Sequence, residues 1–164
     1  MLVYLVRHAI ATPRGDDTAD EERPLTDKGI ARMEEIVEGL GGLGVALDEI
    51  WTSPLVRARQ TADILAGLDG FSGPLRTVGA LAPGGDEADV IQLLIRSNVE
   101  SVALVGHEPD LGDLCARLLT SRGDGFICLK KGAVACVELS NDAPDLTGVL
   151  LWLMQPRQLR SVRS

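Results

Sequence analysis

Histidine is scarce in this chain of 164 residues, with His8 and His107 as its two members. Cysteine is nearly as rare: Cys115, Cys128 and Cys136 are odd in number, scattered, and without C-x-x-C spacing. That pattern fits neither a disulfide framework nor a cysteine-bound zinc, and predicts buried free thiols in a reducing compartment. The run His107-Glu108-Pro109 is not the H-E-x-x-H of a zinc protease, and no G-x-S-x-G elbow of a serine hydrolase is present. No metal and no cofactor is expected. Long apolar runs are missing too. None approaches the ~20 residues that cross a bilayer. The opening MLVYLVRHA is halted by Arg7 and lacks the make-up of a secretory signal. A cytoplasmic protein with no membrane partner is the expectation. Excess positive charge is absent as well: the formal net charge is −8, which argues against a nucleic-acid partner. Any anion-binding pocket must therefore concentrate a few arginines locally.

What is present reads as alternating strands and helices. Leu2–Val6 is a continuous apolar run of the kind buried on both faces of an α/β sheet. An acidic, Pro- and Gly-containing loop follows from about Ala11 to Pro24. Thr26 suits an N-cap, and Ile30, Met33, Val37 and Leu40 recur at helical spacing until Gly39, Gly41, Gly42 and Gly44 break the pattern. Glu49–Thr52 reads as a strand. Ser53-Pro54 reads as N-cap and first residue of a helix through about Ala66, with Leu55, Ala58, Ala62 and Leu65 facing the core. A short strand near Arg76–Val78 precedes a helix over about Glu87–Ser97 that buries Val90, Ile91, Leu94 and Ile95. Strand Ser101–Val105 precedes a helix from Pro109 to about Leu119. Ser121–Gly125 reads as a loop. Ala133–Leu139 and Gly148–Met154 read as paired strands joined by the polar turn Asn141–Asp145. The order predicts one domain over residues 1–164, a three-layer αβα sandwich on a mostly parallel mixed sheet.

Open α/β sheets bind ligands beyond the carboxyl ends of their strands. Both histidines sit at such ends, each before a loop or helix start whose unpaired N–H groups favour anions. Arg7 adjoins His8, Arg57 lies one turn into the helix after the second strand, and Arg23 lies in the loop that leaves the first. Three guanidinium forks at one edge suit phosphate oxygens and offset developing negative charge without a metal. The remaining acidic residues of the first loop, Asp16, Asp17, Asp20, Glu21 and Glu22, read as a solvated face.

The run LVRHAIA resembles the RHG-type motif of the histidine phosphatase superfamily, formerly grouped with the phosphoglycerate mutases. ERPLTDKG, TSPLVRARQTA and LVGHEPDL follow in the matching order, and together resemble the SixA branch of phosphohistidine phosphatases. The similarity extends to LLWLMQP near the end. One position departs from it: Ala9 stands where the glycine after Arg-His is usual. The resemblance implies a phosphoglycerate mutase-like fold, with His8 as the nucleophile that becomes a phosphohistidine. It implies that Arg7 and Arg57 are phosphate-pocket residues, that His107 is the second pocket histidine, and that Arg23 helps close the pocket.

A neutral imidazole attacks phosphorus through one nitrogen while the other N–H is held, and water later cleaves the N–P bond. A carboxylate that protonates the leaving group is harder to find. Glu108 is the first candidate, and Asp86 and Glu87 follow. An alkoxide benefits from that proton donor, whereas a protonated imidazole leaves readily without one. The reading is therefore a phosphatase acting through His8 on phosphohistidine in proteins, its partner a phosphorylated protein or a small phosphate ester. The alternatives are a small-molecule phosphomonoesterase or mutase on the same nucleophile, and a non-catalytic module that binds phosphate or polyphosphate.

Overall fold

The computed structural model describes residues 1–15, 18–120, 126–140 and 147–162. Six strands form one sheet: β1 (Leu2–Arg7), β2 (Glu49–Thr52), β3 (Leu75–Thr77), β4 (Ser101–Gly106), β5 (Val134–Ser140) and β6 (Thr147–Met154). Their order across the sheet is β3-β2-β4-β1-β5-β6. The first four in that order run parallel, and β5 and β6 are antiparallel to their neighbours. The helices are α1 (Asp27–Gly42), α2 (Val56–Leu65), α3 (Glu87–Arg96), α4 (Asp110–Thr120) and the short α5 (Pro156–Leu159).

Alternation along β1 divides the core. Tyr4 and Val6 pack on one face with Met33, Ile36 and Leu40 of α1 and Ala58, Ala62 and Leu65 of α2. Val3 and Leu5 pack on the other with Val90 and Leu94 of α3 and Leu111, Leu114 and Leu118 of α4. Because β1 is covered on both faces, it carries an unbroken apolar run rather than an alternating one. The expected three-layer αβα sandwich on a mixed sheet is thus the architecture observed.

Several boundaries differ from the sequence expectation. Helix α2 starts at Val56, with Leu55 as its N-cap, rather than at Ser53-Pro54. Ser53 Oγ does accept from Leu55 N–H, but at 3.3 Å and ahead of the helix. Helix α1 runs on to Gly42, and its Gly39 serves close packing rather than a break, since a Cβ there would meet Leu159 O of α5 at 2.1 Å. Ile95, expected in the core, is 47% exposed, since the buried stripe of α3 is carried by Val90 and Leu94. Cys128 is exposed, unlike the buried thiols Cys115 and Cys136. The loop Ser121–Gly125 and the turn Asn141–Asp145 lie outside the described residues. Among the described residues, no helix is long and apolar enough to cross a membrane.

One consequence of this topology places the chemistry. The helix that follows β1 covers one face of the sheet, and the helix that follows β4 covers the other. A crevice opens at the carboxyl ends of two neighbouring parallel strands whose chains depart in opposite directions.

Candidate active site

The parallel register of β1 and β4 pairs Val6 with Val105 and Arg7 with Gly106. The next residues on the two strands are His8 and His107, and the ladder continues as His8 N–H donates to Gly106 O at 3.0 Å. Strand β2 is likewise in register with β4, and Ser53 N–H donates to Val105 O at 2.9 Å. Three strand ends therefore deliver His8, His107 and Ser53 side by side. The two imidazole centroids are 5.1 Å apart, and His107 Nε2 lies 2.8 Å from Ser53 Oγ. All three side chains are buried.

The tautomer of His8 follows from its partners. Nδ1 lies 2.7 Å from Ala9 O, and a carbonyl only accepts, so the neutral ring carries its proton on Nδ1. Nε2 then holds a lone pair, toward which Arg57 Nε–H is directed at 3.3 Å. Ala9 is fixed in turn by Thr61, whose Oγ1 accepts from Ala9 N–H at 3.0 Å and donates to Arg57 O at 2.7 Å. Helix α2 thus positions the loop after β1 and the arginine facing it at once. Gly29 in α1 allows the same loop to sit close, since a Cβ there would meet Ile10 O at 2.0 Å.

Burial governs the charge of both rings. Desolvation, opposed by the Ala9 carbonyl and joined by repulsion from His107, Arg57 and Arg7, lowers the His8 pKa to about 3. For His107, desolvation together with the charges of Arg57, Arg7 and Arg23 outweighs the attraction of Asp20 and gives about 4. Both imidazoles are neutral at neutral pH, the state in which a ring nitrogen is a nucleophile.

The arginines converge by different routes. Arg7 Nη1 donates to Leu129 O at 2.7 Å across 122 residues of sequence, while its Nε is buried with no partner among the described residues. His107 Nδ1 is buried in the same way. Arg57 and Arg23 meet at Asp20: Arg57 Nη2 is 3.1 Å from Asp20 Oδ2, and Arg23 Nη2 is 2.9 Å from Oδ1. Arg14 Nε joins at 2.7 Å. Partial burial of Asp20 opposes its ionisation, but Arg14, Arg23 and Arg57 prevail and hold its carboxyl far below the usual range. The acidic loop is thus not merely a solvated face. Asp20 is the clamp that fixes two site arginines, and sequence reasoning missed it because nothing local separates it from Glu21 and Glu22, which are exposed. Asp16 and Asp17 lie outside the described residues.

The proton-donor candidates are all engaged elsewhere. Glu108 Oε1 accepts from Leu129 N–H at 3.0 Å, so Glu108 and Arg7 hold the two ends of one residue's main chain. Its burial pushes the carboxyl pKa up, against that hydrogen bond and the charge of Arg7. Asp86 caps α3 by accepting from Ala88 N–H at 2.8 Å, and Glu87 faces Arg117 at 3.7 Å. Among the described residues, the ring hydrogen bonds of His8 and His107 go to Ala9, Arg57 and Ser53, and none goes to a carboxylate. Among the described residues, no group of three histidine, cysteine or acidic side chains gathers in a form suited to a metal ion.

Comparison with known proteins gives this geometry a family. The family model for the histidine phosphatase superfamily (branch 1) matches residues 3–81, which contain His8, Arg23 and Arg57. An uncharacterized protein of Picosynechococcus is 37% identical over 137 residues, 82% of either chain. Phosphohistidine phosphatase SixA of Escherichia coli is 28% identical over 167 residues, covering 100% of this chain and 99% of its own. A solved structure of the protein histidine phosphatase SixA complexed with tungstate superposes with a TM-score of 0.86 at 28% identity, covering 97% of this chain and 99% of that one. The expected phosphoglycerate mutase-like α/β fold is accordingly the fold of its structural neighbours. With two strand-end histidines, an arginine cluster and full-length likeness to these relatives, the chain belongs to the histidine phosphatase superfamily of hydrolases and is of SixA type.

Proposed function

We propose that this protein hydrolyses phosphohistidine in proteins, with His8 Nε2 as the attacking atom. The observation that carries the reading is the fixed tautomer of His8. Its Nδ1–H is held by Ala9 O, and its Nε2 lone pair is turned toward Arg57 and stands beside His107. The name SixA points the same way: the curated SixA relative is a phosphohistidine phosphatase, and the SixA solved structure is complexed with tungstate, an oxyanion shaped like phosphate.

The Nε2 lone pair forms a bond to phosphorus as the bond from phosphorus to the substrate's ring nitrogen breaks. The phosphoryl oxygens take hydrogen bonds from Arg57 and from Arg7 Nε and His107 Nδ1, buried atoms with no other partner among the described residues. Arg23 holds its place through Asp20. Attack leaves His8 as a phosphorylated imidazolium, and the substrate ring, which enters as an imidazolium protonated on its other nitrogen, departs as neutral imidazole with the electron pair of the broken N–P bond. Transfer between like rings therefore balances without a proton donor, which suits a site whose rings touch no carboxylate. Water then breaks the new N–P bond, releasing phosphate and regenerating neutral His8.

A substrate panel tests this: a phosphohistidine peptide, a phosphoserine peptide, an aryl phosphate and sugar phosphates. The expected ranking places phosphohistidine far ahead of phosphoserine and the sugars. An alkaline quench should trap the phosphoryl group on His8, located by mass spectrometry, and His8→Ala should lose about a thousandfold or more in turnover. Faster hydrolysis of alkyl phosphates, or a label on any other residue, refutes the proposal.

A further inference from the structure

The chain is acidic overall, yet its basic residues are not evenly spread. A pocket of about 520 Å³ lies beside the reaction centre, between α1, the turn at 130–132 and the start of α5. Six of the chain's sixteen lysines and arginines line it, namely Arg7, Arg32, Lys130, Lys131, Arg157 and Arg160, and no acidic residue does among those described. Its floor is apolar, with Met33 and Ile36 of α1 and Pro156 of α5. Arg160 is already engaged by Glu35, and the other five come from the end of β1 (Arg7), α1 (Arg32), the turn (Lys130, Lys131) and α5 (Arg157).

Two observations tie this pocket to the catalytic centre. Arg7 and Ala9, which flank His8, also line it. Desolvation lowers the Lys131 pKa, and the nearby charges of Arg7, Arg23 and Arg57 lower it further. The walls are also built rather than incidental. Gln155 Oε1 accepts from Lys130 N–H at 3.1 Å, and Gln155 Nε2 donates to Cys128 O at 3.1 Å, so the turn and α5 are tied together. Gly132 makes the turn at φ +82, where a side chain would be strained.

We propose that this pocket is a second subsite of the same active site, which takes acidic side chains flanking the phosphohistidine of a protein substrate. The inference rests on the phosphohistidine reading above. A partner with acidic residues near its phosphohistidine is repelled by most of this surface and attracted at one place, which orients it with the phosphoryl group toward His8. The apolar floor accommodates the aliphatic stems of glutamate side chains, whose carboxylates meet Arg32, Lys130 and Arg157 at the rim. Flanking residues in an extended peptide are ~3.3 Å apart per step, so a neighbour within a few positions reaches the pocket.

The test compares two phosphohistidine peptides of equal length, one with Asp and Glu around the phosphorylated residue and one with Asn and Gln, and uses an aryl phosphate as reference. At low salt the native enzyme is expected to favour the acidic peptide by roughly tenfold in kcat/KM, mostly through KM, and the preference should shrink as salt rises. Arg32→Glu with Arg157→Glu should abolish the preference while aryl phosphate turnover stays within about twofold, and Arg96→Glu on the opposite face of the sheet should leave it intact. The neutral pair Arg32→Gln with Arg157→Gln gives an intermediate preference and serves if charge reversal impairs folding. Equal hydrolysis of both peptides by the native enzyme, or a preference that survives both double variants, overturns the subsite alone. Hydrolysis of the aryl phosphate with neither peptide cleaved overturns the phosphohistidine reading as well.

Discussion

Lowering the pH from 7 to 5 protonates histidines in the unfolded chain, where an imidazole titrates near 6.5, while His8 and His107 stay neutral in the folded protein with pKa values of about 3 and about 4. A group whose folded pKa is depressed below its unfolded one keeps its full stabilising contribution above the unfolded value and loses it as pH falls toward the folded value. Unfolding therefore gains protons across this window, and stability drops. Proton linkage assigns each ring a loss of about 2 kcal/mol between pH 7 and pH 5, hence about 4 kcal/mol for the pair. Against the 5–15 kcal/mol typical of a folded domain, roughly, that is a large fraction. Urea unfolding at pH 7, 6 and 5, at constant ionic strength and without phosphate, measures it directly. Comparison with His8→Asn isolates one ring: the variant should lose about 2 kcal/mol less than the native protein over the same range, whatever its stability at pH 7. Glu87 and Glu108, whose burial raises their pKa values, titrate alike in both proteins and cancel in the difference. Equal losses in the two proteins would mean that His8 is not buried in its neutral form, and the argument for Nε2 as a ready nucleophile would fall with it.

Other substitutions probe the supports of the site. Thr61→Val removes the oxygen that accepts from buried Ala9 N–H; it should cost about 1–3 kcal/mol in stability by denaturant titration and lower turnover as well. Asp20→Ala releases Arg57 and Arg23 from their shared carboxylate; kcat/KM should fall by about 10- to 100-fold and phosphate inhibition should weaken, with an unchanged value refuting the clamp. Glu108→Gln keeps an oxygen able to accept from Leu129 N–H while removing the proton; turnover within about threefold and an unshifted pH profile are expected, whereas a large loss confined to the phosphorylated-peptide reaction would make Glu108 its acid.

Residue order alone determined much of this protein. The doubly covered strand at Leu2–Val6, the alternation of strands and helices, and the placement of both histidines just beyond strand ends are local signals, because period and chain breaks are written in neighbouring residues. Arg7, Arg23 and Arg57 were also legible as arginines placed at those exits, and Arg57 does reach His8 and share Asp20 with Arg23. Tertiary structure decided the rest. The meeting of His8 with His107 depends on the register between two strands a hundred residues apart, which burial on both faces sets and no local pattern encodes. Asp20 emerged from a run of acidic residues only when folding placed Arg23 and Arg57 around it. Ser53, readable as a helix cap, became the partner of His107 because β2 aligns with β4. Glu108 and Arg7 took the two ends of Leu129's main chain, and bonds to backbone leave no mark in residue identity, since every residue but proline offers the same amide groups.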